Sequence, residues 1–173
     1  ENGPGIALRI EKDGDVFYSK GFGVANQDLR TKITASTNFR MASVSKQFTA
    51  MAILLLEKDG KLSLEDPINP LVPEMPKKVG EKVRVKHLLT HCSGLIDYEA
   101  LMNDDLEEQL QDQDILEILK NQDTTYYTPG TQFRYSNSAY CLLTLIVERV
   151  SGRKYPDFVK ERIFAPLGMD GSI

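Results

Sequence analysis

A β-hairpin first and helices after it is what the pattern of this sequence predicts, and two observations carry the prediction. An alternating apolar pattern broken by a tight-turn signal fills the opening residues, and two later stretches, Val44 to Leu56 and Ala139 to Val150, are apolar with helical spacing. With 173 residues, 41% of them hydrophobic and 27% charged, the chain can bury one core as a single domain.

The elements follow in order. Ile6, Leu8 and Ile10 share one face of an alternating run, and Asp15 to Gly21 is a second β-prone run with Val16, Phe17 and Tyr18. Lys12-Asp13-Gly14 between them signals a tight turn, so residues 1–24 are expected to form a β-hairpin and residues 25–173 a mainly helical part. Asn26 to Asn38 is polar and aperiodic and is read as a connection that delivers Ser43 onto a helix start.

A helix beginning near Ser43 places Lys46 at i+3 and Gln47 at i+4, so hydroxyl, amine and amide share one face. The free N–H groups and positive dipole end at a helix start favour an alkoxide or an acyl oxyanion there, which makes Ser43 the candidate nucleophile; Gln47, on the same face, is a candidate substrate contact. The bland alternative is a serine that only caps a core helix. Apolar residues on every side of Val44 to Leu56 predict a helix buried nearly all round, in which a desolvated Lys46 would lose pKa and could pass a proton near neutrality. Gly60 supplies the stop.

Leu62 to Pro76, with four prolines, is expected to be an extended loop over the surface. His87 to Gly94 reads as a short helix stopping at Gly94. His87 or His91 could serve as general base with Asp97 as orienter, or each could be a packed or capping histidine; no Gly-x-Ser-x-Gly elbow accompanies them. The two histidines at i, i+4 lack the intervening Glu that a zinc hydrolase needs, and no metal or cofactor is expected. Cys92 reads as a small buried apolar side chain, and Cys92 with Cys141 gives no disulfide framework.

Asp97 to Asp114 is acidic and is expected to be a solvated surface insertion, with Asp114 capping a helix from Ile115 to Lys120. Thr128 to Tyr140 then gives a Pro-Gly turn and Tyr135-Ser136-Asn137 on a loop, braced by the helix from Ala139 to Val150. A last helix starts near Pro156 and stops before Pro166.

Charge and hydropathy exclude some partners. A net charge of -4 without a basic cluster argues against nucleic acid, and the longest apolar run, Ala50 to Leu56, is too short to cross a bilayer. Glu1 rather than Met at the first position is read as a processing boundary.

Ser43-x-x-Lys46, His87-Leu88-Leu89-Thr90-His91-x-Ser93-Gly94-Leu95, Pro129-Gly130 followed by Tyr135-Ser136-Asn137, and Phe164-Ala165-Pro166-Leu167-Gly168-Met169, in this order, resemble the serine β-lactamase-like family. That group of penicillin-recognising hydrolases includes class C β-lactamases, D-alanyl-D-alanine carboxypeptidases and related esterases; Tyr-Ser-Asn looks like the class C and carboxypeptidase branch. The resemblance implies an α+β fold, a helical cluster packed on an antiparallel sheet, of which only the first hairpin lies in this chain. It further implies Ser43 as the acylated nucleophile, Lys46 as its proton partner, Tyr135 as proton relay and Asn137 as a hydrogen-bond partner of the substrate. Either Lys46 or Tyr135 could take the serine proton. The implied substrates are a β-lactam, a D-alanyl peptide or an ester, in an extracytoplasmic setting. The family's third motif, Lys-Thr-Gly or His-x-Gly, does not occur after Tyr135, so the chain is expected to be the N-terminal part of a domain whose C-terminal half is its missing partner. The same departure leaves a second reading, a non-catalytic module that binds peptidoglycan-like ligands or a protein.

Overall fold

Among the described residues, two antiparallel pairs of strands lie ahead of Ala42, and the α-helices follow it. The computed structural model describes residues 3–102 and 109–172. These fall into two units, one ending at Ala42 and one running from Ser43 to Gly171. Asp104, Asp105, Glu107 and Glu108 of the expected acidic insertion lie outside the described residues.

In the first unit, β1 (Ile6–Lys12) pairs with β2 (Asp15–Phe22) from Ile6↔Phe22 to Lys12↔Asp15. Asp13 (φ 54°) and Gly14 (φ 88°) are both left-handed, the geometry of a two-residue turn that matches the twist of the flanking strands. A register shift follows Ile10↔Tyr18, because Glu11 pairs with Val16 and Phe17 is the extra residue. Ile6, Leu8 and Ile10 share a face as the alternation requires, and all three are exposed. The stretch read as a mere connection holds a second pair, β3 (Val24–Asn26) with β4 (Thr31–Lys32). Strands of three and two residues are too short to show alternation; the turn between them is closed by the Leu29 N–H donating to Asn26 Oδ1 at 2.7 Å.

A 3-10 turn, Ala42–Ser45, runs into α1 (Lys46–Lys58), the first α-helix of the second unit. Then come α2 (Lys77–Gly80), α3 (Val85–Leu89), a 3-10 turn at Tyr98–Ala100, α4 (Asp112–Leu119), α5 (Asn137–Ser151) and α6 (Tyr155–Val159). The core sits on α5, which packs against α1, α3, α4 and α6. Leu142, Leu143, Ile146 and Val147 of α5 are buried together with Ala52, Ile53 and Leu56 of α1 and Leu116 and Leu119 of α4. Burial of each such large side chain contributes about 1.5–3 kcal/mol before entropy is counted.

Several boundaries differ from the sequence reading, each for a local reason. α1 is not buried all round: Thr49, Ala52, Ile53 and Leu56 are, whereas Met51 and Leu54 are exposed, so it is a one-sided core helix. The proline-rich stretch is extended but does not merely cover the surface. Ile68, Val72 and Met75 are fully buried, and an N–H from Ile68 to the Val83 carbonyl (2.9 Å) ties it to the start of α3. α3 ends at Leu89 and not at Gly94, because His91 turns left-handed (φ 56°). α4 begins at Asp112, with the Gln111 N–H donating to Asp114 Oδ2 at 2.8 Å, so Asp114 serves from inside the first turn. The last helix does not stop before Pro166: α6 continues through a π turn and a 3-10 turn, Ala165–Leu167, to Gly168 (φ 64°), because a proline near the start of a turn lacks only an N–H with no partner there.

Candidate active site

Three segments of the second unit converge: the start of α1, the 91–99 segment after α3, and the 126–136 loop with the first turn of α5, into which it leads. Ser43 lies in the 3-10 turn ahead of α1, and Lys46 is the first residue of that helix. The N-cap of α1 is Ser45, with no side-chain cap bond. The Ser43 hydroxyl instead receives two donors, Lys46 Nζ at 3.2 Å and the Tyr135 hydroxyl at 2.7 Å. Lys46 Nζ donates onward to Asn137 Oδ1 at 2.7 Å. It also stands over the Tyr135 ring (5.0 Å to the centroid) and the Tyr140 ring (5.5 Å), where ring faces attract a cation. The lysine is half-buried rather than enclosed, because the helix that carries it is covered on one side only.

Asn137 is placed by α5 and not by a loop. The helix starts at Asn137 because Ser136 caps it, its Oγ accepting the Ala139 N–H at 3.1 Å. Asn137 Nδ2 donates to Glu99 Oε1 at 2.6 Å, a short charge-assisted bond. Glu99 is held in turn through the buried Ser138, whose Oγ accepts the Tyr98 N–H (2.9 Å) and donates to the Ile96 carbonyl (3.0 Å).

The Tyr135 loop is laced to the segment after α3. Gly94 O accepts the Tyr126 N–H (2.7 Å), Cys92 O the Gly130 N–H (2.8 Å) and His91 O the Arg134 N–H (2.9 Å). Gly94 must be glycine for this contact: its φ is 69°, and a Cβ would lie 2.7 Å from the Tyr127 carbonyl oxygen. Asp97 pairs with Arg134 (2.9 and 3.2 Å) rather than orienting a histidine. His87 Nδ1 accepts the Arg84 N–H (3.2 Å) at the start of α3, and the ring packs on Gly130. Neither histidine donates to or accepts from Ser43 among the described bonds, so neither is placed as its general base; each ring instead accepts a backbone N–H, His87 from Arg84 and His91 from Ser136.

Electrostatics favour an acidic phenol. Burial alone would raise the Tyr135 hydroxyl, but the Lys46 ammonium and the Ser43 hydroxyl outweigh it and hold the phenol below its ordinary value, with Glu99 opposing them. Burial pushes the Cys141 thiol upward, with Asp112 adding to the shift, and both cysteines are free. Cys92 is half-buried, its Sγ against the Thr90 carbonyl. Among the described residues no three His, Cys, Asp or Glu side chains are grouped to hold a metal, and no helix is long and apolar enough to cross a membrane.

Of the residues singled out in the sequence, Ser43, Lys46, Tyr135 and Asn137 come together, and Gln47 does not join them. Its amide donates to the Val44 carbonyl at 2.9 Å, within its own turn. Glu99 and Tyr140 belong to the cluster and escaped the sequence reading. Glu99 was hidden in an acidic run; Tyr140 carried a signal, since it sits one helical turn after Asn137.

A serine hydroxyl held between an ammonium and a phenol, at a helix start in an α+β chain, defines a class of serine-centred site, and comparison with known proteins gives the family. The sequence model described as beta-lactamase matches residues 1–172, and the chain belongs to that family. Penicillin-binding protein 4* of Bacillus subtilis (strain 168) is 39% identical over 169 residues, which are 96% of this chain and 37% of that protein. The octameric penicillin-binding protein homologue from Pyrococcus abyssi superposes with a TM-score of 0.84 at 38% identity, over 96% of this chain and 39% of its own. D-amino acid amidase from Ochrobactrum anthropi SV3, in complex with L-phenylalanine amide, gives a TM-score of 0.80 at 32% identity, over 95% and 46%. The α+β, β-lactamase-like fold expected from the motifs is therefore the fold of this chain, and the chain spans little more than a third of the length of the curated relatives it matches.

Proposed function

We propose that the protein is a serine hydrolase or acyltransferase that forms an acyl-enzyme on Ser43. The observation that carries this reading is the position of Ser43 Oγ, 2.7 Å from the Tyr135 hydroxyl and 3.2 Å from Lys46 Nζ. Among the described residues, the partners of Lys46 Nζ are oxygen acceptors and ring faces, which are contacts that an ammonium makes. Tyr135, with its phenol acidified beside that cation, is then the base.

In the step, the Tyr135 phenolate takes the Ser43 proton while Oγ bonds to the substrate carbonyl carbon. The negative charge that develops on the carbonyl oxygen falls near the N–H groups at the start of α1, with the Ser43 N–H as one donor. As the tetrahedral species collapses, the C–N or C–O bond to the leaving group breaks and Tyr135 returns its proton to the departing atom. Water or an amine attacks the resulting ester and reverses the path, which restores Ser43. Asn137, held between Lys46 and Glu99, keeps a second amide hydrogen for the substrate.

The substrates are carbonyl compounds of the β-lactam, D-alanyl peptide or ester class. Support for the class comes from relatives named as penicillin-binding protein and D-amino acid amidase. Mass spectrometry of the protein at its natural length, after incubation with a penicillin or a fluorophosphonate, tests the reading. An adduct on Ser43 is expected; its absence with both reagents overturns the reading and leaves a site that binds without reacting.

A further inference from the structure

His91 is unusual in holding the chain on both sides of one residue. Its backbone carbonyl accepts the Arg134 N–H at 2.9 Å, and its imidazole Nδ1 accepts the Ser136 N–H at 3.2 Å. Between those two N–H groups lies Tyr135, and the imidazole stacks on the Tyr135 ring with centroids 4.6 Å apart and planes inclined by 29°. Tyr140 of α5 lies 5.0 Å from the imidazole on a tilted plane, and Phe133 meets it edge-on at 5.9 Å. The left-handed backbone of His91 (φ 56°) is what lets carbonyl and ring address the same loop; histidine, asparagine and aspartate adopt that conformation more readily than other side chains with a Cβ. Among the described residues His91 makes no hydrogen bond to Ser43; it meets the candidate site through the Tyr135 ring and the N–H groups on either side of Tyr135.

We propose that His91 is a positioning residue for the serine chemistry: its imidazole, as a hydrogen-bond acceptor, fixes the Ser136 N–H and clamps the Tyr135 phenol in reach of Ser43. The proposal rests on the reading of Tyr135 as the base. It gives the His-x-Ser-Gly stretch a function that is neither general base nor mere packing.

A protonated imidazole cannot accept the Ser136 N–H, so the clamp depends on pH. Burial first, and then the Lys46 ammonium, hold the imidazole below its ordinary value of 6.5. The groups that face it are Lys46 from α1, Tyr135 and Phe133 from the loop and Tyr140 from α5, with the Tyr127 hydroxyl donating to its backbone carbonyl. None of these is a carboxylate. The clamp is complete above pH 6.5 and fails as the pH falls through the lowered value.

The test compares His91→Asn with His91→Phe in the protein at its natural length. Asparagine tolerates the left-handed backbone and offers an oxygen near the place of Nδ1, whereas phenylalanine keeps a ring and offers no acceptor. His91→Phe is expected to slow acylation of Ser43 about ten-fold or more, the scale of one buried N–H left without a partner. His91→Asn is expected to recover most of that rate. In the wild type, acylation falls more steeply on acidification below about pH 6.5 than the Tyr135 limb alone dictates, and His91→Asn removes this extra fall. Wild-type acylation by His91→Phe overturns the proposal. So does an Asn variant that folds yet is as slow as Phe, because the imidazole would then be needed as an acid or base. Should His91→Phe not fold, the Asn pH profile decides. A readout free of catalysis separates this proposal from the reading of Ser43: the Ser136 amide resonance is expected to shift with a midpoint below pH 6.5. An amide that does not move sinks the clamp whether or not Ser43 acylates; no adduct on Ser43 with a titrating amide sinks the serine chemistry alone.

Discussion

The starts of α5 and α1 both carry serines, and their hydroxyls are used in opposite ways. At α5, Ser136 is buried and its hydroxyl caps the helix by accepting the Ala139 N–H. At α1, the N-cap Ser45 makes no side-chain cap bond, and Ser43, exposed in the preceding turn, directs its hydroxyl to Lys46 and Tyr135. A capping hydroxyl is occupied with the backbone and buried, whereas a nucleophile needs neighbours that can take its proton and a path to solvent. The contrast teaches that Ser-x-x-Lys and Tyr-Ser-Asn, similar as helix-start sequences, are built differently: one start leaves its hydroxyl open to Lys46 and Tyr135, as the proposed function requires, and the other is closed by its cap.

That contrast can be broken by substitution. Ser43→Ala is expected to abolish adduct formation with penicillin or fluorophosphonate while thermal unfolding stays near wild type; labelling at another serine would end the distinction between the two starts. Lys46→Ala and Tyr135→Phe are each expected to lower the acylation rate by on the order of 10² to 10⁴, as loss of a positioned proton carrier does, with little loss of fold. Wild-type rates in either variant remove that residue from its role. Ser136→Ala is expected to cost about 1 kcal/mol in denaturant unfolding, the scale of a lost helix cap, whereas Ser45→Ala should stay within about 0.5 kcal/mol. Equal costs would mean that α1 is capped after all.

The smallest effect is electrostatic. Glu99→Gln keeps an oxygen for the Asn137 amide and removes the negative charge that raises the Tyr135 phenol, so the pH limb of acylation should move to lower pH. The sign follows from the base: with less negative charge nearby the phenolate forms at lower pH, and the rate rises earlier on the alkaline side. A limb that stays in place, or moves upward, would show that Glu99 does not act on Tyr135.

Much of this was legible in the sequence, where the interactions are local. Helical spacing alone set Lys46 one turn from Ser43, and Asp13-Gly14 fixed the hairpin turn. Interactions between distant segments were not legible. Glu99 sat among eight acidic residues and read as solvated, yet it meets Asn137 across 38 positions. His91 read as a base or a packed ring because sequence shows no N–H for it to accept. Burial of Ile68, Val72 and Met75 left a trace in their i, i+4, i+7 spacing, which the four neighbouring prolines obscured. The one-sided covering of α1 was invisible because the chain writes the same apolar residues on both faces.

The lacing of the 126–136 loop onto residues 91–94 also bears on how the molecule is made. Ser43 and Lys46 are brought together by a single helical turn, an event of about a microsecond or less, whereas Tyr135 lies 92 positions from Ser43 and reaches it only after a long loop has closed. The site is therefore expected to be assembled in two stages during folding, with the proposed base, Tyr135, arriving after the proposed nucleophile, Ser43. In pulse-labelling hydrogen exchange, the amides of Lys46 to Leu56 should gain protection before those of Gly130, Arg134 and Ser136. On the proposed function, that order would leave Ser43 without its base until the fold around it is nearly complete.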